Sequence, residues 1–304
     1  MNSEPLEIVF QMFDGFTTKT LPGDGTDIHL VIGGKGPPLL LLHGYPQTHC
    51  CWHRVAPLLA DSFTIVAPDL RGYGDSGKPA TDPAHEPYSK RRMAADQIEV
   101  MKQLGFERFF VAGHDRGGRV AHRMALDHPN AVERLAVLDI APTLEMYHRT
   151  NMRFAMTYFH WFFLVQPFDF PERLLGGDPE YWLRAAFYVR SVSGGTGAIT
   201  PEAFAEYLRC FRDPATIHAT CEDYRASATI DLAHDEADHS KRLTCPFLVI
   251  VGEKGGLAKC YDIPALWRER TERVEHQGLP AGHFLPEEVP EQVSARLREF
   301  FGSE

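Results

Sequence analysis

Two kinds of apolar pattern divide the chain. Short unbroken apolar runs recur through the first half, at residues 39–42, 63–67, 109–112 and 135–138. A run with no polar face predicts a strand buried on both sides, as in a parallel sheet covered by helices. Between these runs the apolar positions take helical spacing. Met93, Ile98, Met101 and Leu104 predict a helix over 89–104 with Gly105 as its stop, and a second helix is predicted from Gly117 to His128, ended by Pro129. Strand, helix, strand and helix in succession imply right-handed βαβ units. From about 141 to 241 the pattern changes to dense aromatics, among them Phe154, Tyr158, Trp161, Trp182 and Tyr207, with no comparable strand run. A mostly helical insertion is expected there. The βα pattern resumes at 246–251 with a helix through Trp267, and a last helix is expected over 290–301 with Val293, Leu297 and Phe301 on one face. The expected organisation is an α/β core over 1–140 and 242–304, interrupted by a helical cap over 141–241.

Composition narrows the class without naming a function. The 304 residues, 44% of them hydrophobic and 24% charged, suit one large globular domain with an insertion rather than a disordered or fibrous chain. Lys and Arg number 31 against 41 Asp and Glu, a net charge of −10. Such a field repels nucleic acid and anionic membranes, so neither is expected as a partner. No run approaches the ~20 apolar residues of a membrane span. Met1-Asn2-Ser3-Glu4-Pro5 lacks the basic and apolar parts of a signal peptide. The six cysteines (Cys50, Cys51, Cys210, Cys221, Cys245 and Cys260) form no CxxC pair. Reduced thiols, no metal and a cytoplasmic setting are expected.

The candidate chemistry begins where the third run ends. Gly113-His114-Asp115-Arg116-Gly117-Gly118 joins a predicted strand to a predicted helix. This is a nucleophile-elbow pattern with Asp115 in the place usually held by serine. The glycines leave room for the sharp turn, and the helix N-terminus favours negative charge. An aspartate at a helix start can also be a simple cap. Two further segments favour chemistry. His43-Gly44-Tyr45-Pro46 follows a strand, so a backbone N–H there could join that of Arg116 in an oxyanion hole. Gly282-His283-Phe284 follows the last predicted strand, where His283 could serve as base. The acid that would orient it is assigned to Asp139, at the end of the fourth run, with Glu253 in reserve.

These pieces, together with Asp69-Leu70-Arg71-Gly72-Tyr73-Gly74-Asp75-Ser76, resemble the Asp-nucleophile branch of the α/β-hydrolase fold over nearly the whole chain. That branch holds haloalkane dehalogenases, epoxide hydrolases and haloacetate dehalogenases. Arg116 and Arg119 separate them. Two guanidiniums beside a carboxylate nucleophile have no task with a neutral alkyl halide, whereas a planar fork grips a carboxylate in two places. The alternative is that both pair with surface acids. The run 114–119 is similar to that of fluoroacetate (haloacetate) dehalogenases. The resemblance implies that Arg116 and Arg119 bind the substrate carboxylate and that His160, Trp161 and Tyr224 form a halide pocket. It further implies a halocarboxylate substrate, no cofactor, and a homodimer as the common state. Fluoride is small and strongly hydrated, so three N–H and O–H donors suit its expulsion.

The implied reaction is attack by Asp115, an aspartyl ester, and hydrolysis by water that His283 activates with Asp139 behind it. Backbone N–H groups of Tyr45 and Arg116 would stabilise the oxyanion. An epoxide hydrolase using Tyr224 with Tyr158 is the rival enzyme reading, but it leaves the arginines idle. A non-catalytic small-molecule binder on the same fold is the rival of another class.

Overall fold

The four apolar runs of the first half all become strands of one sheet. The computed structural model describes residues 12–191, 197–271 and 273–303. Eight strands are present: β1 (Thr17–Pro22), β2 (Asp27–Gly34), β3 (Pro38–Leu42), β4 (Thr64–Pro68), β5 (Phe109–His114), β6 (Val132–Leu138), β7 (Phe247–Gly252) and β8 (Val274–Leu279). Their order across the sheet is β1-β2-β4-β3-β5-β6-β7-β8. The first two pairings, β1 with β2 and β2 with β4, are antiparallel, and all others are parallel. Leu39 to Leu42 have no solvent exposure, as a strand covered on both faces requires.

Three strands went unread in the sequence, β1, β2 and β8, and the patterns of the two outermost explain why they did. β1 is TTKTLP with five of six positions exposed, and β8 is VEHQGL with one buried position. Both lie at sheet edges, where polar residues are tolerated and no apolar run forms. The helix expected through Trp267 is two short helices, Gly256–Cys260 and Ile263–Arg268. Asp262 caps the second, accepting from the Ala265 N–H, with a proline in its first turn.

Between β6 and β7 the only regular elements among the described residues are helices, from Thr143–His148 through Ile230–Ala237. No described helix is long and apolar enough to cross a membrane. Because β3, β5, β6, β7 and β8 run parallel, their C-terminal ends open on one edge of the sheet. His43, Asp115, Asp139 and His283 follow four of those ends, beneath the helical segment. Such an edge is where doubly wound sheets bind ligands.

Candidate active site

The turn after β5 holds Asp115 at φ 48° and ψ −115°, a strained conformation for a residue with a side chain. The glycines make it possible. A Cβ on Gly113 would collide with the Gly117 carbonyl, and one on Gly117 with the His43 carbonyl. The helix Arg116–Asp127 starts directly behind, its N-terminus toward the carboxylate.

The two oxygens of Asp115 face different partners. Oδ1 accepts the Tyr45 N–H at 2.9 Å. Oδ2 lies 3.3 Å from His283 Nε2. The Arg116 N–H makes no hydrogen bond to Asp115 among the described residues. His283 Nδ1 meets Asp139 Oδ2 at 2.6 Å, and Asp139 Oδ1 accepts the Gly252 N–H at 3.1 Å. Asp139 is therefore the acid bonded to His283. Glu253, the reserve, is exposed beside Gly278. Burial opposes ionisation of Asp115, but the His283 hydrogen bond and the Arg190 charge outweigh it and hold the carboxyl well below the usual range.

The two arginines have different surroundings. Arg116 is fully buried and forks onto Asp223, with Nε to Oδ2 at 2.9 Å and Nη2 to Oδ1 at 2.6 Å. It pairs with an acid after all, although a buried one, which Lys90 also contacts. Only its Nη1 lacks a partner. Arg119 meets no acid among the described residues. Its Nη1 donates to the Ala141 carbonyl at 3.1 Å and to Thr143 Oγ1 at 2.8 Å, leaving Nε without a partner. Burial, then the Arg116 charge, lowers its pKa.

Above them stands an aromatic cluster from the helical segment. Arg116 stacks on Tyr224 at 4.2 Å and Arg119 on Trp161 at 4.7 Å. His160 and Trp161 lie 5.9 and 6.3 Å from the Tyr224 ring, centroid to centroid. His160 Nε2, Trp161 Nε1 and the Tyr224 hydroxyl are buried with no hydrogen-bond partner. Burial, and next the Arg190 charge, holds the His160 pKa far down, so the ring is neutral. Burial and Asp115 raise that of Tyr224, so its hydroxyl keeps its proton. Tyr158, the second tyrosine of the epoxide reading, is buried against Phe154 and His160.

Besides Asp223, one residue in contact with Asp115 and His283 was missed. Arg190, the last residue of the helix Pro179–Arg190, lies with Nη2 3.3 Å from Asp115 Oδ2 and hydrogen-bonded to His283 Nε2. Its Nη1 donates to the Tyr45 carbonyl at 3.3 Å. Its sequence setting is that of an ordinary cation in a last helical turn. For a metal, one described group brings three ligand atoms within 4.8 Å, namely His29, His49 and Asp69. It shares no residue with the Asp115 site, and Asp69 already accepts from His49 and the Asp75 N–H.

The model of the alpha/beta hydrolase fold family matches residues 37–290. The chain belongs to that family. This hydrolase is 46% identical to a fluoroacetate dehalogenase of Burkholderia sp, over 95% of each chain. It is 36% identical to a soluble epoxide hydrolase of Corynebacterium sp. (strain C12), over 91% of this chain and 94% of that one. Among solved structures it matches a "putative alpha/beta hydrolase" from Nostoc sp PCC 7120, with a TM-score of 0.92 and 56% identity over 94% of this chain and 98% of that one.

Proposed function

We propose that this hydrolase removes halide from short 2-haloacids such as fluoroacetate and chloroacetate, giving 2-hydroxy acids. One observation carries the reading. Five buried polar atoms without partners, Arg116 Nη1, Arg119 Nε, His160 Nε2, Trp161 Nε1 and the Tyr224 hydroxyl, belong to side chains stacked on one another beside Asp115, and four of them are donors in any state, with His160 Nε2 a donor in one tautomer. Buried donors are almost always satisfied, so a cluster of them marks where an anion supplies the acceptors. The two guanidinium donors suit a carboxylate, and the three aromatic donors suit a departing halide.

Substrate held by Arg116 and Arg119 presents its halogen-bearing carbon to Asp115 Oδ2. The C–O bond forms as the carbon–halogen bond breaks, and the halide leaves toward His160, Trp161 and Tyr224. His283 then takes a proton from water that attacks Cγ of the aspartyl ester. The Tyr45 N–H, already on Oδ1, meets the oxyanion. Asp139 keeps the imidazole in the required tautomer. Neither a metal nor an organic cofactor enters any step. The core over 1–140 and 242–304 supplies nucleophile and base, and the cap over 141–241 supplies the halide donors. A cytoplasmic setting fits the six unbridged cysteines. The homodimer rests on family resemblance and is read by light scattering.

Fluoride and chloride release across a panel of 2-halocarboxylates is the test, with styrene oxide beside them. Halide release is expected, and in His283→Asn one ester adduct per chain on Asp115. Turnover of styrene oxide with none of any haloacid would replace this reading by the epoxide one. Stoichiometric binding with no turnover of either would favour a binding protein.

A further inference from the structure

The contacts of Arg190 are incompatible with both steps of the reaction just described. Oδ2 of Asp115 is the oxygen free to attack, and Nε2 of His283 is the lone pair that must accept a proton. One guanidinium group touches both. A guanidinium donates only, so it cannot relay the proton. The Arg190 carbonyl also accepts the His283 N–H at 3.0 Å, which ties this helix end to the loop carrying the base.

Charge balance says where the guanidinium can go. Lys90 and Arg116 offset Asp223 and Asp231 in one buried group. Counting His283 as the neutral base the reaction needs, Asp115 and Asp139 are then matched by Arg119 and Arg190. A haloacid adds one negative charge. Loss of Arg190 to solvent at that moment would leave two uncompensated charges in a dry site, at high cost. The cleft beside Arg190, lined also by Tyr45, Thr157, Phe159, Trp182 and Val189, offers no acid to receive it. The substrate is the one new anion within the site.

We infer that Arg190 is a specificity-determining residue: it pairs with Asp115 and His283 before substrate binds, then transfers to the carboxylate of the incoming haloacid. That transfer uncovers nucleophile and base together. A neutral halide of the same shape draws nothing away and leaves the pair capped. Selection for anionic substrates then has a second origin besides Arg116 and Arg119. The inference rests on the haloacid reading above.

The test compares chloride release from chloroacetate with that from chloroacetamide, its neutral isostere. The rate of Asp115→Asn is subtracted to remove reaction of chloroacetamide with thiols. In Arg190→Gln the ratio of the two kcat/KM values is expected to fall at least about tenfold. The fall comes from both sides: faster chloroacetamide turnover, and a higher KM for chloroacetate. Arg190→Lys keeps a charge that can move and is expected to stay within about threefold of the parent ratio. Arg190→Met substitutes should Arg190→Gln not fold. An unchanged ratio in the uncharged variants, or one that falls with chloroacetamide turnover unaltered, overturns the inference. Absence of chloride release from chloroacetate by the parent protein would instead overturn the haloacid reading.

Discussion

The sheet side and the cap side of the site use their polar atoms in opposite ways. On the sheet side Asp115, Asp139 and His283 are fully engaged, each oxygen and ring nitrogen meeting a named partner. On the cap side His160 Nε2, Trp161 Nε1 and the Tyr224 hydroxyl meet none. A buried donor left unsatisfied costs about 1–3 kcal/mol. On the proposed reading the satisfied half keeps reacting groups in register, and the unsatisfied half gains partners when an anion arrives. Removing an atom from the first half should therefore abolish chemistry, and removing one from the second should trade activity for stability.

The largest effect is expected in the engaged half. Asp115→Asn should lower steady-state halide release by about 10⁴-fold or more, with folding retained by circular dichroism. Arg119→Met removes the charged donor proposed to hold the substrate carboxylate and should lower kcat/KM for chloroacetate by about 10²–10³-fold. Asp223→Asn separates anchoring from catalysis. It leaves Arg116 and Lys90 buried without their shared acid, and urea unfolding should show a loss of about 3–5 kcal/mol. Unchanged stability there would mean that Asp223 does not hold Arg116 in place. Tyr224→Phe tests the cap directly. Fluoride release should fall about tenfold and bromide release less, while the protein gains about 1 kcal/mol from losing an orphaned hydroxyl. A stability loss in Tyr224→Phe would break the comparison.

The smallest effect is on pH dependence. The Asp115 carboxyl is held below its unfolded value of ~3.9. Its ionised form therefore contributes stability in full above that value, and the contribution is lost as pH falls through the folded one. The stability difference between the parent protein and Asp115→Asn should be flat from about pH 8 to pH 5 and shrink toward about pH 3.

What could be read in advance follows the same division. The elbow was legible because its geometry restricts residue types within five neighbouring positions, Gly113 to Gly117. Asp139 and His283 were legible because a strand end or the loop after it can present a side chain at the sheet edge. Edge strands such as VEHQGL were not, since half-exposed backbone needs no apolar run. In the helical segment the signal fades further. Tyr224 stood out within 221–226 while its neighbour Asp223, which anchors Arg116, did not, because that pairing spans 107 positions. Arg190 meets His283 across 93 positions, and nothing near it in the chain announces the contact.

The unequal surroundings of the two Asp115 oxygens have an isotopic consequence. Oδ1 is pinned on the Tyr45 amide, and Oδ2 faces the base. In the proposed reaction the oxygen that attacks carbon departs inside the hydroxy acid, and the solvent oxygen takes its place on the His283 side. Repeated turnover in heavy-oxygen water should therefore mark Asp115 with one heavy atom and never two. The first hydroxy acid released should be unmarked, and every later one should carry the isotope.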